Sequence, residues 1–135
     1  MQYETLTDFE LTGSTSLRGH VRATYQELCA AFGKPLEGDG YKTQVEWVIL
    51  LTDEEENQFV ATIYDWKIGE AYVGTDEGIL PEENESWNIG GHKPDVVRLI
   101  DRILVETREM LAHEEECRMY QWDFEWEQSG RADLN

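Results

Sequence analysis

Residues 41–66 read YKTQVEWVILLTDEEENQFVATIYDW, and this stretch decides the fold. From Tyr41 to Leu51 the residues are rich in β-branched and aromatic types, with Val45, Trp47, Ile49 and Leu51 at alternate positions. Phe59–Trp66 has the same character. Apolar residues at period two mark a strand with one buried face. Two such runs joined by the short acidic loop Asp53–Gln58 read as a hairpin. Other elements must then cover its apolar side.

On the N-terminal side, Asp8–Leu11 alternates as a short strand and Gly13 ends it. Ser14, Thr15 and Ser16 offer N-caps for a helix from about Leu17 to Phe32. Leu17, Val21, Tyr25, Leu28 and Phe32 follow at helical spacing, with Gly33 as C-cap and Pro35 as a stop. On the C-terminal side, Gly69, Gly74 and Gly78 punctuate a loop, and Ser86–Ile89 is a further short strand. Gly90-Gly91-His92 leads to Pro94 at a first-turn position, which starts a helix to about His113. Its stripe is Val96, Ile100, Ile103, Leu104 and Leu111, with Arg102 and Glu106 as an outer i,i+4 pair. Beyond it, Tyr120, Trp122, Phe124 and Trp126 alternate with Gln121, Asp123, Glu125 and Glu127. That pattern predicts an acidic aromatic strand at about 118–127. The expectation is one α+β domain over 1–135, an antiparallel sheet with two main helices packed on one face.

The chain has 135 residues, a length served by one core. Its 29 acidic residues outnumber 11 Lys and Arg, giving a net charge of −18, yet 40% of residues are hydrophobic. A folded, acidic domain is implied, not a disordered one. The charge opposes direct binding of DNA, RNA or an anionic membrane. It is also localised: residues 53–92 carry net −10 and 114–127 net −5, whereas 93–113 are neutral. Met1–Gly13 has neither the basic nor the apolar region of a signal peptide, and no run reaches the ~18 apolar residues of a membrane span. Cys29 and Cys117 lack nearby ligand partners and read as reduced thiols, so a cytoplasmic setting is expected.

No HExxH, CxxC, GxSxG or Walker pattern occurs, and His20, His92 and His113 are scattered, so no enzyme, catalytic residue, metal or cofactor is expected. Asp53–Glu56 and Asp76-Glu77 are oxygen-rich, but without EF-hand spacing they read as solvated loops. Gly90, Gly91, His92 and Lys93 before a helix suggest an anion site, and hence a nucleotide-sequestering protein as an alternative. The leading reading is phosphate mimicry. Carboxylates on one strand face repeat every ~6.6 Å, comparable with the phosphate path of DNA, whose axial step is ~3.4 Å. Asp123, Glu125 and Glu127 would form such a row. Asp53, Glu54, Glu55, Glu56, Glu82, Glu83 and Glu85 would extend it into a polyanionic surface for a basic groove. The competing reading is an acidic face that is only solvated, as in a structural or assembly protein.

Ser16–Val21, Ala23-Thr24-Tyr25, Phe32–Pro35, Gly38–Lys42, Glu46-Trp47, Ala61–Lys67 and Trp87–Gly91 together resemble small accessory proteins encoded by bacteriophages and prophages. The resemblance covers about residues 14–105 and carries no motif of chemistry. It implies a host-defence inhibitor, some of which are acidic DNA mimics acting on CRISPR or restriction enzymes. The expected partner is therefore a host nucleic-acid-binding protein, with no direct nucleic acid or membrane contact. The four rings of the tail would serve a homodimer interface equally well.

Overall fold

The computed structural model describes the backbone of residues 1–133 and the side chains of residues 1–119. The hairpin is its centre. Val45–Thr52 forms one strand and Gln58–Tyr64 the next, paired in the register Trp47↔Ile63, Ile49↔Ala61 and Leu51↔Phe59. In chain order the strands are β1 (Gln2–Leu6), β2 (Ser16–Arg22), β3 (Leu36–Glu37), β4 (Val45–Thr52), β5 (Gln58–Tyr64) and β6 (Ser86–Gly91). The helices are α1 (Tyr25–Phe32), α2 (Glu70–Val73) and α3 (Asp95–Asp133), with 3-10 turns at Glu10–Thr12 and Pro81–Glu83. All strands belong to one antiparallel sheet in the order β1-β4-β5-β6-β2. The short β3 pairs with β4 at Val45 and Glu46, beyond the end of β1.

The α+β class therefore holds. Alternate strand residues Trp47, Ile49, Leu51, Ala61, Ile63, Trp87, Ile89 and Val21 face α1 and α3, and all are buried. From the helices come Leu28, Ala31 and Phe32, and Val96, Leu99, Ile100, Ile103 and Leu104. Both central tryptophans find partners for the indole N–H, as buried indoles must. Trp47 donates to the Gly33 carbonyl at 2.8 Å and Trp87 to the Ala23 carbonyl at 2.9 Å. Those carbonyls bracket α1, so the sheet holds that helix at both ends.

Three expectations are corrected. Asp8–Leu11 is not a strand: Asp8 Oδ1 accepts the Glu10 N–H at 3.0 Å and the chain turns into a 3-10 segment. The helix expected from Leu17 begins only at Tyr25. Ser16–Arg22 is instead an edge strand, with Gly19 set so close to α3 that a Cβ there would lie 3.0 Å from Val97 Cγ2. The local capping box at Thr24 and Glu27 starts the helix, each side chain bonded to the other's backbone N–H. Lastly, the strand expected at 118–127 is part of α3, which runs unbroken for 39 residues, about 58 Å at ~1.5 Å per residue. No Pro or Gly interrupts it between Asp95 and Ser129. Extending a helix that packing has already nucleated is cheaper than starting a strand.

Candidate interaction surfaces

The hairpin tip is built around Asp53. Its Oδ1 accepts the N–H groups of Glu55 at 2.9 Å and Asn57 at 2.8 Å, and Glu56 takes a positive φ of 67°. Desolvation alone would raise the Asp53 carboxyl, but the N–H donors of Asn57 and Glu55 hold it below the usual carboxylate range. Glu54 reaches across to Arg102 at 3.0 Å. Asp53, Glu54 and Glu55 thus line a cleft of about 560 Å³ whose opposite wall includes Lys93, Arg98 and Arg102 at the start of α3. The expected polyanionic loop is a mixed-charge cleft.

Glu82, Glu83 and Glu85 lie elsewhere. They precede β6, whereas the hairpin tip follows β4 and sits beside the far end of β6, so the length of a six-residue strand, ~20 Å, separates the two groups. All three are exposed. The Glu85 carbonyl accepts the Ala23 N–H, which fixes the loop against the start of α1. At the same end α3 leaves the sheet. Near that end Arg108 donates to Glu27 of α1 at 2.8 Å and to the Arg22 carbonyl of β2. Beyond it Glu109, Glu114, Glu115 and Glu116 are exposed. The side chains of Asp123, Glu125 and Glu127 lie outside the described residues. Because a helix turns ~100° per residue, positions 123 and 125 stand on opposite sides of it, and the strand-pitch row expected there has no counterpart.

Gly90 and Gly91 are also placed differently. Both are buried within β6, paired to Leu17 and Ser16 on one side and to Thr62 and Ala61 on the other. A Cβ on Gly90 would lie 2.5 Å from Thr62 Oγ1, and one on Gly91 2.8 Å from Val96 Cγ2. The glycines admit close packing across the sheet and beneath α3; they do not form a loop open to an anion. His92 Nε2 lies 2.7 Å from the Gly13 carbonyl, and Asp95 puts a negative charge in the first turn of α3.

Cys29 is half-buried, and that burial pushes its thiol up, away from nucleophile chemistry. Cys117 is exposed, its Sγ 3.7 Å from His113 Nε2 one turn away on the same helix. Neither cysteine is in a disulfide. Among the described residues no group of three or more His, Cys, Asp or Glu is placed to hold a metal ion, and no helix is long and apolar enough to cross a membrane.

Sequence reasoning missed a cluster at the opposite end of the hairpin from its tip. Trp66 is exposed, with Lys67 Nζ 5.4 Å and Lys42 Nζ 5.8 Å from its ring, and Tyr41 and Tyr72 pack together 5.0 Å apart beside it. Lys67 itself takes a positive φ of 60°. The signal was present as an aromatic between two lysine-bearing turns, but nothing local says that residues 41 and 72 meet. Comparison with protein-family models, curated proteins and solved structures gives no match.

Proposed function

We propose that the chain is a non-catalytic, acidic inhibitor that occupies the nucleic-acid path of another protein. The resemblance to phage-encoded accessory proteins favours a host defence enzyme, a CRISPR effector or a restriction enzyme, as its target. One observation carries this reading. At the end of the domain where α3 departs, the carboxylates of Glu82, Glu83, Glu85, Glu109, Glu114, Glu115 and Glu116 are exposed, and among the described residues none is ion-paired. Unpaired like charges in one region repel one another. That repulsion is relieved when a basic groove closes over them, with the same release of counterions that drives DNA binding. The hairpin tip, already balanced by Arg98 and Arg102, contributes less.

The test is displacement of a labelled DNA duplex from purified guide-loaded CRISPR effectors and restriction enzymes. The protein should displace duplex from a susceptible target at low salt and lose that ability steeply as salt rises. Replacing Glu82, Glu83, Glu85, Glu114, Glu115 and Glu116 by Gln should weaken displacement by more than about tenfold. Equal potency of that variant, or no displacement from any target, rejects mimicry.

A further inference from the structure

The outer edge of β2 differs from the rest of this acidic surface. The sheet ends there: β6 lies on one side of β2, and among the described residues no strand lies on the other. Between that edge and α3 runs a groove of about 690 Å³, whose lining includes His20, Arg22, Val97, Arg98, Asp101 and Arg108. The direction of the main chain along it follows from one hydrogen bond. Arg108 donates to the Arg22 carbonyl, so that carbonyl faces away from β6. In an antiparallel ladder a residue turns its N–H and C=O to the same side, and alternate residues turn alike. The register is regular from Gly19 to Arg22, with the irregularity confined to Leu17/Gly19. His20 therefore offers both main-chain groups to the groove, and Arg22 offers its N–H.

The charge around these groups is positive. Arg22 and Arg98 are exposed; Arg98 lies 4.0 Å from Asp95 and its charge also reaches Asp53 at the hairpin tip, so Arg22 is the less compensated of the two. Arg108 shares its charge with Glu27, and among the described residues of the lining Asp101 is the one acid. A second copy of β2 is a poor occupant, since it would bring its own Arg18 and Arg22 against these. We infer that the outer edge of β2 receives an extended acidic peptide segment of a partner protein, added to the sheet as a further strand. Its main chain pairs with His20 and Arg22, and its carboxylates meet Arg98 and Arg108 on the helix side and Arg22 on the other face. Edge addition of this kind takes affinity from the backbone and specificity from alternate side chains. This inference does not rest on the mimicry reading, which uses the opposite sign of charge on other residues.

Fluorescence anisotropy with short labelled peptides tests it. A peptide of Glu-Glu-Val-Val repeats, which sets carboxylates on both faces of an added strand, should bind, and its Lys-Lys-Val-Val counterpart should not. Methylating alternate backbone nitrogens of the acidic peptide should weaken it by about tenfold or more, and so should the double variant Arg22→Glu with Arg98→Glu. The milder variant Arg98→Ala, checked for an unchanged melting curve, should weaken binding in the same direction. No binding of the acidic peptide overturns the inference. So does binding that is indifferent to backbone methylation or to both sets of substitutions.

Discussion

The two faces of the sheet are made by the same strands, yet they are different materials. Toward the helices, Trp47, Ile49, Leu51, Ala61, Ile63, Trp87 and Ile89 are fully buried. Toward the other side, the intervening residues include Val48 and Thr62, also buried, but Glu46, Leu50, Val60, Tyr64 and Asn88 are only partly so. The short 3-10 segment at Glu10–Thr12, not a helix layer, lies over that side against β5. One face is closed by apolar area. The other keeps ionisable groups half in water, and its cross-strand row Glu46–Tyr64–Asn88 is polar throughout. Stability is thus concentrated on one side of the sheet.

The largest test of that contrast is Trp47→Ala. It empties a fully buried site and removes the donor to the Gly33 carbonyl, so it should cost about 3–5 kcal/mol in chemical denaturation. A loss below about 1 kcal/mol would mean that the helix-covered face does not dominate stability.

The second test concerns the open face. Burial, with added repulsion from Asp39 and Asp65, pushes the Glu46 carboxyl up from 4.5 to about 7. The folded protein then holds a proton that the unfolded chain has released, so stability falls as pH rises from 4.5 through about 7. Above that range the ionised group costs about 1–2 kcal/mol, allowing for its partial exposure. Glu46→Gln should flatten this part of the pH–stability profile and raise stability at pH 8. Parallel profiles for variant and wild type would place the pH dependence elsewhere.

The smallest effect belongs to the tie between the hairpin tip and α3. Glu54 and Arg102 are 69% and 45% exposed, so their 3.0 Å pair should show a coupling of at most about 0.5 kcal/mol. A double-mutant cycle with Glu54→Gln and Arg102→Gln, repeated at high salt, measures it. A coupling above about 2 kcal/mol would show that charge, and not apolar area alone, holds α3 over the sheet.

The hairpin at 45–64 and the start of α3 were legible because their periodicity has one physical cause, a single buried face. The edge strand Ser16–Arg22 was not. Leu17 and Val21 stand four apart and so continue the helical spacing of Tyr25, Leu28 and Phe32, although Leu17 is exposed on the edge strand and Val21 is buried from that strand and not from a helix. The sharper signal was the Thr24-x-x-Glu27 capping box, which sets the helix start at its true position. The tail failed for the opposite reason. Its alternation spans only residues 120–127, too short to outweigh helical continuity from a packed start. Of the acidic candidates, exposure at Glu82, Glu83 and Glu85 was foreseeable from charge. The balancing of Glu54 by Arg102 was not, because it joins residues 48 apart in sequence.

The bracketing of α1 by two indoles has a consequence for the order of assembly. An eight-residue helix is too short to persist alone in water. Its C-terminal clasp comes from Trp47, 14 residues downstream of Gly33, and its N-terminal one from Trp87, 64 residues beyond Ala23. Those long loops must close before the segment gains both clasps. Residues 24–33 should therefore gain hydrogen-exchange protection late in refolding, after β4 and β6 have joined the sheet.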